Sequence, residues 1–439
     1  MISIRGTLLA ALVVVAGVSA EDWPQWMGPQ RDAVWRETGI VEKFPAGGPK
    51  VLWRAPVHWG YSGPAVADGH VYLMDFDTKV DVLKRNPFDT KTKVPGRERV
   101  LCLDQKTGKE VWKHDYECSY GISYAFGPRC TPTVVDGKVY TLGAEGNLLC
   151  LDAKKGSVLW SKDFPKDYEA KTPFWGFCGH PLVDGKKLIC ITGGKGGIVR
   201  AYDKDTGAEL WKSLEAKDLG YSPPTIIEAG GQRQLLIWTG QAINSLNPET
   251  GKLYWSVPLE TTDAMSIMSP RKLGDFLFAG GRQAKSVLLK LDTDKPGAQE
   301  VWRGNRDVGL APINMTPFLE NGLIIGVDQP GVMHAVDIQN GKRLWGNTLP
   351  ITGEEKKPAG SGTAFVVKQG DRFVLFSETG HLILAQMDRR GYTEIDRWQM
   401  LEPTSLCFGR KVVWSHPAFA DRCVFARNDK EIVCVSLAK

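Results

Sequence analysis

The stretch from Cys102 to Trp112 reads as the end of one apolar strand, a tight turn through Asp104, Thr107 and Gly108, and a second strand that reaches a tryptophan. The pattern returns down the chain. It recurs as Asp152, Gly156, Trp160, then Asp203, Gly207, Trp211, then Asn247, Gly251, Trp255, and again as Asp337, Gly341, Trp345. Asp292, Gly297 and Trp302 carry it with a longer turn, while Trp53 precedes the first copy and Trp398 follows the last. The spacing of roughly 43 to 59 residues exceeds that of leucine-rich units and matches a four-stranded propeller blade. A chain that repeats in this way folds as an array of like units.

Each period divides into four short strands. In the second copy these are Thr131 to Val135, Lys138 to Leu142, Asn147 to Leu151 and Ser157 to Trp160. Asp136 and Gly137 form a hairpin between the first two, since Asp-Gly between apolar alternations suits a turn whose two residues both take positive φ. The same turn is expected at Asp68 and Gly69, Asp184 and Gly185, and Asn321 and Gly322. No helical period competes.

The turn before each tryptophan has its own chemistry. Asp104 can accept from backbone amides ahead of it, Thr107 can brace the turn with its hydroxyl, and Gly108 takes a backbone conformation costly for other residues. The tryptophans at 53, 112, 160, 211, 255, 302, 345 and 398 then supply one large flat side chain per unit to bury the seam with the next.

The two chain ends distinguish a closed ring from an open stack. The last period offers three strands, Pro417 to Ala420, Cys423 to Arg427 and Glu431 to Leu437, and the chain stops. Val51 to Arg54 supplies a strand with a tryptophan and no partners before it. Joining them gives an all-β, eight-bladed propeller without exposed edges.

The recurring small residue, x, Asp, x, x, Thr, Gly, Lys, Glu, x, Trp resembles the docking motif of PQQ-like, quinoprotein-type eight-bladed propellers, over the whole chain after its first segment. The run Trp23, Pro24, Gln25, Trp26, Met27, Gly28, Pro29 resembles the leader of a secreted subgroup, with Ala33 where that pattern has glycine. The expected organisation is a signal peptide at 1–20, a leader at 21–49 packing on the ring, and one propeller at 50–439. Arg5, the apolar run Leu8 to Val18 and the small residues Val18, Ser19, Ala20 have the order of a cleaved secretory signal. That run is too short to span a bilayer, so an exported, periplasmic or extracellular protein without a transmembrane segment is expected.

The net charge of +5 over 439 residues, with no run of one sign, argues against a nucleic-acid surface. Of nine cysteines, Cys102, Cys150 and Cys434 fall where other copies carry Ala201, Ser245 and Ala335, and read as small buried side chains. Cys118 and Cys130 share one loop region and are the pair to examine for a disulfide.

Chemistry belongs with the long loops. Tyr116 to Arg129, Pro165 to Gly179, Asn305 to Asn314, Gly346 to Gly360, Gln399 to Ser415 and the insertion Asp77 to Arg97 all fall on one face, and the other face has tight turns. Residues just before the innermost strands should ring the channel mouth there: Tyr61, Arg129, His180, Tyr221, Met268, Asn314, Thr363, Trp414 and His416. Arg129 and the aromatics suit an anionic planar molecule or a water-filled channel. His180 and His416 stand three blades apart, which disfavours a shared metal.

Two functions follow. The first is a binding or scaffold protein of the cell envelope, monomeric, without cofactor, taking a protein or peptide on the long-loop face. It resembles in shape the propeller proteins that assist outer-membrane protein assembly. The alternative is a dehydrogenase of an alcohol or sugar using PQQ with calcium. That resemblance implies a Glu, Asn and Asp calcium set, an Asp base and often vicinal cysteines. No two cysteines adjoin here and no loop carboxylates supply both ligand and base, so no catalytic residue is assigned and the first reading is preferred.

Overall fold

Alternating apolar strands with two-residue turns build four-stranded antiparallel meanders, and the computed structural model, which describes residues 21–439, contains eight of them. Blade 1 comprises Ala65–Ala67, His70–Asp77, Val94–Asp104 and Glu110–Tyr120. Blades 2 to 7 follow at 133–163, 182–213, 225–258, 271–303, 318–347 and 364–399. In blade 8, Ala418–Ala420, Cys423–Arg427 and Glu431–Ser436 are completed by Lys50–Pro56, antiparallel to the last of these, with Trp53 opposite Cys434. The ring therefore closes between strands from opposite ends of the chain. The expected signal segment at 1–20 lies outside the described residues. No described helix is long and apolar enough to cross a membrane.

The hairpins at Asp68 and Gly69, Asp136 and Gly137, and Asn321 and Gly322 have positive φ at both residues. Blade 3 differs from expectation. Asp184 pairs with Lys187, so its turn residues are Gly185 and Lys186, and only the glycine has positive φ.

The repeated turn and tryptophan form the seam. Asp104 Oδ1 accepts from the Thr107 amide at 2.8 Å and from the Thr107 hydroxyl at 2.6 Å, and Asp203 is used alike by Thr206. In seven blades the register between third and fourth strands slips by one residue immediately before the tryptophan. Such a bulge twists the strand and re-aims the next side chain. It turns the indole onto the following blade and throws the preceding Leu52, Val111, Leu159, Leu210 or Val301 outward, where each is exposed. Indole N–H groups then donate to the next blade's turn: Trp53 to Gln105 O, Trp112 to Ala153 O, Trp160 to Lys204 O, Trp302 to Ile338 O and Trp345 to Asp388 O, at 2.8–3.0 Å. Trp255 donates to the Gln234 side chain of its own blade instead, and Trp211 finds no acceptor.

Trp53, Trp112, Trp160 and Trp211 each need a bare backbone beneath the ring, at Gly108, Gly156, Gly207 and Gly251. A Cβ on Gly207, at φ +73°, would lie 2.7 Å from Trp160. Trp398 shows the same requirement at the closure. Blade 8 has no turn between its third and fourth strands, because they come from opposite chain ends, and Trp398 packs on Gly48, just ahead of the closing strand.

Cys102, Cys150 and Cys434 are buried as expected. Cys118 and Cys130 are both free thiols. The first stands on the outermost strand of blade 1, opposite Gly96. The second lies ahead of the innermost strand of blade 2, with its thiol on Phe177 O.

Candidate functional site

The leader crosses the tight-turn end of the channel. Trp23 exchanges two backbone hydrogen bonds with Val66 on the innermost strand of blade 1, both 2.9 Å. Pro24 O accepts from Val134 of blade 2 at 2.8 Å, and Val34–Trp35 adds a parallel strand to blade 7. Arg31 is driven into the ring, donating to Pro181 O at 3.1 Å and His180 O at 3.4 Å, while Arg271 donates to Arg31 O at 3.0 Å. Burial without a carboxylate partner pulls the Arg31 guanidinium down to about 10. Trp23, Trp26 and Trp35 are all buried.

Above this plug the long-loop face opens into a cavity of about 960 Å³. Tyr61, Arg129, His180, Tyr221, Met268, Asn314, Trp414 and His416 all line it, so the residues read from the starts of the innermost strands come together. Thr363 does not; it is buried, and its amide donates to Glu378. Sequence reasoning missed Trp26, which contributes from the leader at the floor, and Phe88, Trp175, Arg282, Arg306, Arg343 and Phe408 on the walls and rim. The run Trp23 to Pro29 was the available signal for Trp26. Arg282 and Arg306 sit in loops that differ between blades and so carried no repeat signal, while Arg343 opens the fourth strand of blade 6, within the repeated motif itself.

The floor is an aromatic stack. The Trp26 indole lies parallel to His180 with centroids 4.8 Å apart, and meets His416 edge-on at 5.9 Å. His180 and His416 are 6.4 Å apart across the channel although they stand three blades apart. Their separation around the ring is therefore no barrier to proximity, and the argument against a shared metal rests on chemistry instead. His180 Nδ1 accepts from the Thr131 amide at 2.9 Å, which places the ring proton on Nε2. That nitrogen is a hydrogen-bond donor, not a metal ligand. Burial, together with His416 and Arg31, holds His180 well below the usual histidine range, and burial brings His416 to about 3.

The walls carry uncompensated positive charge. Arg129 sits 5.4 Å from the Tyr61 ring centroid and spends its N–H groups on Gly127, Ser123 and Tyr124 carbonyls, with no carboxylate partner. Arg306 is exposed and forms no ion pair among the described residues. Arg282 pairs with Asp263. Arg343 pairs with Asp328 at 2.8 Å, and Asp328 also accepts from the Ala311 and Gln329 amides. Asp307 and Asp328 are the carboxylates of the lining. A calcium-held quinone needs several free carboxylate or amide oxygens and a base. With Asp328 already spent, and no group of three His, Cys, Asp or Glu placed to hold a metal among the described residues, the cavity does not fit that set.

Residues 96–347 match the family described as outer membrane protein assembly factor BamB, over half of the chain. The chain belongs to this family. Its fold is similar to that of BamB from Moraxella catarrhalis, with a TM-score of 0.57 and 14% identity over 88% of this chain and 99% of that one. It is also similar to quinohemoprotein alcohol dehydrogenase from Comamonas testosteroni, at 0.59 and 13% identity over 96% and 82%. The computationally designed Ika8 protein matches at 0.54 and 13% identity over 88% and 100%. A scaffold shared by an assembly factor, a dehydrogenase and a design fixes the ring, and function lies in what is grafted on it. No curated protein matches the chain in sequence.

Proposed function

We propose that this chain is a binding or scaffold propeller of the cell envelope that holds a protein or peptide partner on its long-loop face. The observation that carries the reading is the rim of the cavity. Phe88, Phe174 and Phe408 are 50%, 42% and 61% exposed. Phe88 and Phe408 line the mouth, and Phe174 packs on Trp175 of the lining at 4.8 Å. Single exposed apolar residues are ordinary, but a set gathered on one opening marks an interaction site. Phe408 tops the hairpin Ser405–Cys407 and Arg410–Val412, which is tied down by Arg410 to Glu378 at 2.8 Å and Ser405 to Asp429 at 2.6 Å. The aromatic is thus presented on an anchored support. Family membership and the spent carboxylates support the same reading over the dehydrogenase.

The test is photocrosslinking in intact cells from p-benzoylphenylalanine at position 408, with position 106 on the tight-turn face as control. An adduct of one defined mass with an envelope protein, formed at 408, absent at 106 and lost in Phe88→Ser/Phe174→Ser, is expected. Tight one-to-one calorimetric binding of PQQ with calcium, accompanied by dye-linked alcohol oxidation, would replace this reading with the dehydrogenase.

A further inference from the structure

The cavity is a blind hole. The leader closes its far end with Trp26, seated between His180 and His416, so an extended segment that enters from the rim cannot thread through the ring. It must end inside or double back. A volume of about 960 Å³ has room for the last few residues of a chain.

The chemistry of the hole selects among possible ends. Its walls include Met265, Ile267, Met268, Ile313, Tyr221 and Trp414. At the bottom, His180 offers the Nε2 proton left over from its bond with Thr131, and no described residue accepts it. Four arginines, Arg129, Arg282, Arg306 and Arg343, face two aspartates. Asp328 is neutralised by Arg343, and Arg129 and Arg306 have no carboxylate partner among the described residues. A cationic chain terminus would meet like charge, and a neutral one would leave the donor and both arginines unanswered. Apolar walls above donors and positive charge complement an apolar side chain next to a carboxylate.

Building on the proposed function, we propose that the cavity captures the free carboxyl terminus of a partner polypeptide whose last residues are apolar. The carboxylate lies toward His180 and Arg129, the terminal side chain against Met268, Tyr221 and Trp414, and the preceding residues leave over Phe88 and Phe408. A free apolar acid shares the carboxylate and the apolar body, but it leaves the aromatic rim without a role.

The experiment is fluorescence anisotropy on the full mature protein with an N-terminally fluorescein-labelled peptide, Gly-Ser-Gly-Ser-Ala-Val-Leu. The same peptide as its C-terminal amide, and unlabelled 4-methylpentanoate as competitor, form the other arms. The free acid is expected to bind at least 10-fold more tightly than the amide, and raising the salt concentration should narrow that gap. Arg306→Gln, an exposed position whose substitution leaves the fold intact, should reduce the ratio at least 2-fold, and Arg129→Lys should reduce it further. Phe408→Ser should weaken acid and amide by the same factor. Equal binding of acid and amide would overturn the carboxylate site while leaving a peptide-binding face. Absence of binding by either peptide would overturn it as well, and the crosslink at 408 would then show separately whether the face binds protein. Displacement of the peptide by 4-methylpentanoate at equal concentration would overturn the polypeptide assignment in favour of a small acid.

Discussion

The indole of Trp26 lies on the imidazole of His180, centroids 4.8 Å apart and planes within 11° of parallel. One residue comes from the leader and the other from the loop that starts blade 3. The contact makes the leader part of the cavity, with Trp26 among the residues that line it. Arg31 adds a second tie, 5.4 Å from the Trp26 ring and bonded to backbone carbonyls of the ring.

Trp26→Ala should therefore lower stability and open the floor together. Truncating a buried tryptophan costs about 3–5 kcal/mol, read as a fall in melting temperature by calorimetry. Deleting residues 21–49 should lower it further, since Trp23, Trp35 and Arg31 go too. An unchanged melting temperature in the deletion would show that the leader contributes nothing to the ring.

The seam makes a prediction about coupling. Trp160→Phe keeps most of the packing but removes one of the hydrogen bonds to the Lys204 carbonyl, which the Tyr140 hydroxyl still meets at 3.1 Å, a loss of about 0.5–1.5 kcal/mol. Gly207→Ala suffers both a positive φ, about 1–2 kcal/mol, and the steric conflict with Trp160. In a Trp160→Ala background the conflict disappears, so Gly207→Ala should there cost its backbone strain alone. Urea unfolding of the four proteins gives the coupling directly; additive costs would mean that the glycine serves only its own turn.

Much of this ring is written locally. Asp104, Gly108 and Trp112 lie within one turn and two strands, so their pattern is visible in the sequence, and the lone strand around Trp53 foretells closure by arithmetic. What the sequence does not display is curvature. His180 and His416 are separated by more than half the chain, and only the radius of the ring brings them within 6.4 Å. Trp26 belongs to no repeat; the run Trp23 to Pro29 marks it out but does not place it at the channel floor. Cys118 and Cys130 misled for a related reason, since proximity along a loop hides the width of a blade, outermost strand to innermost.

That geometry gives a thiol prediction. All nine cysteines are free among the described residues, so denaturing the purified protein in iodoacetamide without reductant should add nine labels by mass spectrometry. Seven labels, with Cys118 and Cys130 recovered as a linked peptide, would mean that blade 1's outer strand lies closer to the channel than described.

Acid should destabilise the ring through the channel histidines. Stability changes with pH as the difference between protons bound by the unfolded and native states. The unfolded chain protonates His180 near pH 6.5, whereas burial beside His416 and Arg31 keeps the native ring neutral well below that. The unfolded state thus binds more protons as pH falls from about 6.5, and stability is lost with acidification by up to about 1.4 kcal/mol per pH unit for this group. His416, brought to about 3, acts in the same direction, though it keeps a face open to the cavity and water there reduces its share. Glu98 and Asp429 act in the opposite direction, since burial holds both carboxyls above their ordinary range. The difference between wild type and His180→Gln isolates the effect, because glutamine can still accept from the Thr131 amide and cannot take up a proton. Urea midpoints between pH 7 and pH 5 should fall more steeply in the wild type than in His180→Gln. Parallel slopes would mean that His180 titrates normally and that the floor of the cavity is wet.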